Sequence, residues 1–169
     1  MNADLPTLIA QLEGTDTAAQ TAAASELAKR GAAAQGAAVA LVRTVGIPDE
    51  EVLEACTAAL EELGPPSAEH IRPLAQLTHD CSSDVAYWSV TLLGRAKDGA
   101  ADAVPDLIKV LESDADLPVR ERAAWALCEI GPAAKSAAAA LITAAASGEV
   151  RLARLAKKAL ESIGGTPPT

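Results

Sequence analysis

Leucine followed four residues later by glycine recurs along this 169-residue chain at a nearly constant interval. Leu27 precedes Gly31, Leu60 precedes Gly64, Leu127 precedes Gly131, and Leu160 precedes Gly164. In one further copy Leu93 precedes Lys97, without the Gly. The closing positions stand 33, 33, 34 and 33 residues apart. An interval of this length marks a supersecondary unit that cannot bury its apolar face alone, so copies must stack.

Other columns share the register. Twelve residues before each closing position stand Ala19, Val52, Val85, Val119 and Leu152. Eight before it stand the small residues Ala23, Cys56, Ser89, Ala123 and Ala156. Steps of four put these columns and the Leu column on one face of a helix. Leu63, Ala96, Ile130 and Ile163 extend that face; Arg30 breaks it in the first copy. Asp16, Asp49, Ser82 and Asp116 precede the helices as N-caps, whose side-chain oxygens satisfy free N–H groups of the first turn. The fifth copy has Glu149 there, with Gly148 before it as the better cap. The closing Gly suits a left-handed C-cap. These signals predict a second helix in each copy, over 17–30, 50–63, 83–96, 117–130 and 149–163.

A first helix precedes each, carried by Leu8-Ile9, Leu41-Val42, Leu74-Ala75, Leu107-Ile108 and Leu141-Ile142. Pro6 and Pro105 fit the first helical turn, where a missing N–H costs little. Pro73, one residue later, is expected to shift or kink its helix. The composition agrees: 40 of the residues are Ala, the best helix former, and only 2% are aromatic. So few aromatics disfavour a β-sandwich or barrel. With half the residues hydrophobic, the chain is too apolar to be disordered.

One stretch carries a family resemblance. It comprises Pro105-Asp106-Leu107-Ile108-Lys109-Val110-Leu111, then Asp116-Leu117-Pro118-Val119-Arg120, then Ala123-Ala124-Trp125-Ala126-Leu127-Cys128-Glu129-Ile130-Gly131. It resembles a HEAT repeat, of the short type shared with phycobilisome lyases. The family's Asp-to-Arg pairing survives around Asp116 and Arg120; the first and third copies depart from the pattern at Arg30 and Lys97. The resemblance covers about residues 3 to 164. It implies an all-α, right-handed α-solenoid, an armadillo-like superhelix of about five HEAT-like pairs. The pairs fall at about 3–31, 35–64, 68–97, 101–131 and 135–164, in a single domain over 1–169 with a tail at 165–169. It also implies a non-catalytic scaffold binding another protein on a concave face lined by second helices. Some family members are enzymes: bilin lyases, an iron hydroxylase with His-Glu pairs, and a DNA-repair glycosylase. The alternatives are therefore an enzyme or enzyme subunit of the bilin-lyase kind, and a structural spacer or oligomer subunit.

Charge narrows the partners. The net charge is -9 and the pI about 4.7, which gives little footing for nucleic acid. Asp49, Glu50, Glu51, Glu54, Glu61 and Glu62 cluster, whereas the last helix carries Arg151, Arg154, Lys157 and Lys158. The start, Met1-Asn2-Ala3-Asp4, lacks the basic region of a signal peptide. The longest uncharged stretch, Ser136 to Gly148, is well short of the ~20 residues of a membrane span. Three cysteines, an odd number, suit a reducing compartment. A cytoplasmic protein is expected, without nucleic acid or membrane partners.

The candidate chemistry is sparse. His70 and His79 stand at opposite ends of one helix, ~13 Å apart at ~1.5 Å per residue, too far to share an ion. Solvated polar ends are the expected reading, with no metal and no cofactor. Cys56 falls in the small core column, Cys128 off that face, and Cys81 in a loop near His79. No arrangement in the sequence lowers a thiol pKa. No Ser/His/Asp set or phosphate-cradling loop is present; Gly164-Gly165 reads as a helix stop.

The aromatic residues remain: Tyr87, Trp88 and Trp125. On a helical wheel Tyr87 lies about 165° and Trp125 about 155° from the core direction, and Trp88 about 95°. With Thr91 and Arg122 they form the candidate protein-binding patch, since exposed aromatics with Arg are typical hot-spot residues. Glu54 and Glu121 are expected around it, with Arg154, suiting a partner segment that carries Lys or Arg. The alternative is packing: Trp88 against the next helix, which is the better reading for that residue, and Trp125 across its neighbour, which is an even choice.

Overall fold

The computed structural model describes residues 3–113 and 115–164. Within them every regular element is helical. The α-helices are α1 (Leu5–Leu12), α2 (Thr17–Arg30), α3 (Ala38–Thr44), α4 (Glu50–Glu62), α5 (Ala68–Leu77), α6 (Ser83–Arg95), α7 (Val104–Glu112), α8 (Leu117–Ile130), α9 (Ala138–Ala145) and α10 (Val150–Ser162). α1 pairs with α2, α3 with α4, α7 with α8 and α9 with α10 as first and second helices, and the second helices keep their predicted bounds to within one residue. The expected tail at 165–169 lies outside the described residues. The chain falls into two compact units, residues 1–70 and 71–169.

In the first unit α2 packs on α4, with α1 and α3 against them. Asp16 Oδ1 accepts from the Ala18 and Ala19 N–H groups, and Asp49 Oδ1 from that of Val52. Leu27, Leu60, Val52 and Cys56 are wholly buried. Ala19 is only half-buried. Arg30, which breaks the apolar column, turns aside to Glu26 and the Ala3 carbonyl.

In the second unit α6, α8 and α10 pack in succession, with α7 and α9 on α8 and α10. Leu93, Leu127 and Leu160 are wholly buried. Each such Leu removes enough apolar surface from water to contribute about 1.5–3 kcal/mol. Ser82 caps α6 at the Val85 N–H. The cap expected at Asp116 is not made. Its carboxylate accepts from the Ser83 hydroxyl instead, tying the start of α6 to that of α8. Nor do Asp116 and Arg120 form the family's pair: Arg120 Nε donates to the Leu111 carbonyl, 3.2 Å away. α5 runs through Pro73, which has no N–H to offer Glu69. Ile142, expected with Leu141 on the buried face, is 46% exposed.

Three joints are 3₁₀ segments: Gly31–Ala37, Lys97–Ala103 and Gly131–Ala137. Gly31, Gly64, Gly131 and Gly164 all have positive φ, between 53° and 78°, but Gly31 and Gly131 have ψ -129° and -139° and so are not the left-handed helical caps expected there. Lys97 adopts φ 52°, the one non-glycine residue with positive φ among those described. An L-residue is strained there by roughly 1–2 kcal/mol. Lys97→Gly is therefore expected to stabilise the protein by roughly 0.5–1 kcal/mol, once the extra freedom of glycine in the unfolded chain is deducted. Urea denaturation checks this; a loss of stability would show that the Lys97 side chain makes a compensating contact.

Candidate functional site

Tyr87 is carried by α6, Arg122 and Trp125 by α8. One step along the stack brings Tyr87 beside Arg122, and α10 supplies Arg151 and Leu155. Together with Pro118 and Glu121 these residues line a cleft of about 140 Å³ inside the second unit. Arg122 is its centre. The guanidinium carbon lies 4.6 Å from the Tyr87 ring centre and 5.0 Å from that of Trp125. Arg122 Nη2 also donates to Tyr87 Oη. Attraction between a cation and two ring faces holds the side chain in place.

Trp125 is half-buried because its ring lies against Gly94 of α6. Packing across the neighbour and facing the cleft are thus both true of it. Two of the five patch residues do not face the cleft. Trp88 is 8% exposed, packed edge-on to Tyr87 with ring centres 5.8 Å apart. Thr91 is 3% exposed and donates its hydroxyl to the Tyr87 carbonyl at 2.8 Å. A wheel drawn for an isolated helix gives a direction and not what covers it in the folded chain.

The surrounding charges also differ from expectation. Glu121 is 7% exposed and belongs to the cleft wall, where Arg151 Nε reaches its Oε2 at 3.2 Å. Arg154 lines a separate hollow with Lys157 and Lys158. Arg151, absent from the patch that a single-helix wheel defines, takes its place. A sequence signal for it exists: Arg151 stands thirteen residues before its closing position and Glu121 ten before the preceding one, a spacing that adjacent copies bring together.

The histidines hold local partners. His70 Nδ1 is 2.7 Å from Ser67 Oγ, and His79 Nε2 is 3.5 Å from Asp106 Oδ1. No three His, Cys, Asp or Glu side chains among the described residues come together as metal ligands. Burial pushes the Cys56 thiol up to about 12 and raises that of Cys128, which is covered rather than open as its position off the core face suggested. Cys81 is exposed, in a cleft of about 350 Å³ with His79 and Asp80. Its thiol donates to Asp80 Oδ1, 3.7 Å away. A disulfide-exchange reagent is expected to titrate Cys81 quickly in the native protein, and Cys56 and Cys128 only after urea is added. Fast native labelling of all three would show that the core opens readily.

A family model for HEAT repeats matches residues 71–161, more than half of the chain. The chain belongs to the HEAT repeat family. No curated protein matches it in sequence. Two engineered proteins of known structure resemble it. One is 25% identical with a TM-score of 0.65, covering 95% of this chain and 79% of that chain. The other is 24% identical with a TM-score of 0.66, covering 95% and 81%. A designed armadillo repeat protein, solved in complex with the peptide (KR)4, is 21% identical with a TM-score of 0.66, covering 97% and 83%. The HEAT repeat protein described here accordingly has the α-solenoid fold. No helix among the described residues is long and apolar enough to cross a membrane.

Proposed function

We propose that this HEAT repeat protein is a non-catalytic interaction module, and that it binds a segment of another protein where the second helices α6, α8 and α10 form the Tyr87–Arg122–Trp125 cleft. The observation that carries this reading is the preassembled aromatic–Arg cluster at an open cleft. Aromatic and Arg side chains dominate interface energetics, and side chains already held in place lose little entropy on binding. The designed armadillo protein of similar fold is itself a peptide binder, holding (KR)4. We read the ~33-residue spacing as the short HEAT type of phycobilisome lyases, and the protein as cytoplasmic.

Trp125→Ala is expected to weaken the native partner, recovered by pull-down and measured by calorimetry, by ~2 kcal/mol or more. Because the ring also covers Gly94, stability is measured in urea alongside, and binding at a temperature where the variant is folded. Lost stability with unchanged affinity would show that Trp125 only packs.

The bilin-lyase reading draws on one observation, the exposed Cys81 in its cleft. Light scattering tests the remaining alternative, an oligomer subunit.

A further inference from the structure

We infer that the cleft selects an acidic residue of the partner, an Asp or Glu flanked by apolar residues, rather than Lys or Arg. This rests on the protein-binding reading above and names the chemistry of the segment bound.

The ring faces decide against a basic ligand. A cation is held by an aromatic cleft when the faces are open to it. Here Arg122 already lies against both Tyr87 and Trp125. A Lys or Arg of a partner would have to displace it or sit beside a like charge.

The polar groups point the same way. Arg122 has five N–H donors in a fixed fork that suits a carboxylate. One donor is used by Tyr87 Oη, and among the described residues Arg122 has no carboxylate partner. Glu121, the carboxylate in the wall, is already engaged by Arg151. Two Arg side chains thus face one occupied carboxylate, which leaves the cleft with uncompensated positive charge.

The wider charge distribution agrees. Residues 1–70 contain eleven Asp and Glu against three Lys and Arg, whereas the remainder contains twelve against eleven. The strongly negative net charge therefore belongs to the first unit, not to the one that carries the cleft.

Size and lining define the ligand further. At about 140 Å³ the cleft is well below the ~300–1,000 Å³ of pockets that enclose whole small molecules. It suits a single side chain. Pro118 and Leu155 supply apolar walls for the residues on either side.

A random-peptide phage library panned on the full chain tests this, with Arg122→Gln and Trp125→Ala proteins panned in parallel. The leading peptide is then remade with Gln or Lys in place of its acidic residue, and each is measured by calorimetry. Enrichment of Asp or Glu between apolar residues is expected. The Gln peptide should bind roughly tenfold more weakly, the loss of one charge-assisted hydrogen bond, and the Lys peptide more weakly still. Arg122→Gln should abolish the preference for Glu over Gln. Should that variant fail to fold, Arg151→Gln, at a largely exposed side chain, should reduce the same preference. Enrichment of Lys- or Arg-bearing peptides whose binding requires Trp125 would overturn the acidic chemistry and leave the binding site standing. Peptides indifferent to both Trp125 and Arg122, or no enrichment at all, would overturn the site as well.

Discussion

Leu127→Ala is expected to lower stability by roughly 2–5 kcal/mol in urea denaturation, the range for buried Leu truncations. Leu127 is wholly buried in α8, between α6 and α10, and belongs to the column shared by all five copies. Removing its branched end opens a cavity in a region from which solvent is wholly excluded. Glu112→Ala is the matched control: that side chain is exposed at the end of α7, and surface changes usually stay within about 0.5 kcal/mol. Equal effects at the two positions would mean that the register of the repeat is wrong.

Gly94→Ala carries the second large effect, and its sign is the test. In an open helix interior, replacing Gly by Ala stabilises by about 1 kcal/mol. At Gly94 a Cβ would overlap Trp125 Cζ3 and stand 3.0 Å from the Ala126 Cα. Either the ring must leave its place or α6 and α8 must separate. Overpacking of this kind costs about 1–3 kcal/mol. In a Trp125→Ala background the ring is gone and only the 3.0 Å approach to the Ala126 Cα remains, so the same change is expected to cost clearly less. The coupling read from that double-mutant cycle measures how firmly the ring is seated. Additive effects would place the ring elsewhere in solution.

The second helices are legible in the sequence because three signals recur, each intact in four of the five copies: a cap, a face with steps of four, and a stop. Leu27, Leu60, Leu93, Leu127 and Leu160 are all wholly buried, as the column requires. The 3₁₀ joints are not legible, since Gly–Ala-rich segments such as 31–37 carry no apolar period to distinguish a tight helix from a turn. The site is legible in part. Tyr87, Arg122 and Trp125 do come together, because their offsets from the core follow from one helix alone. Trp88, for which packing is the better reading, is buried, and Thr91 is covered too, because burial at a flank is not set by one helix alone. Gly94 escapes a sequence reading for the same reason: its role appears only when a ring from the following copy is laid over it.

All three aromatic residues, Tyr87, Trp88 and Trp125, lie in the second unit, and residues 1–70 contain none. Intrinsic fluorescence therefore watches one unit and is blind to the other, while circular dichroism at helix wavelengths sees both. Thermal curves followed by the two methods should coincide if the units melt as one cooperative body, and separate if the acidic unit melts on its own. The placement of three rings thus makes the native chain its own reporter of folding cooperativity, with no added label.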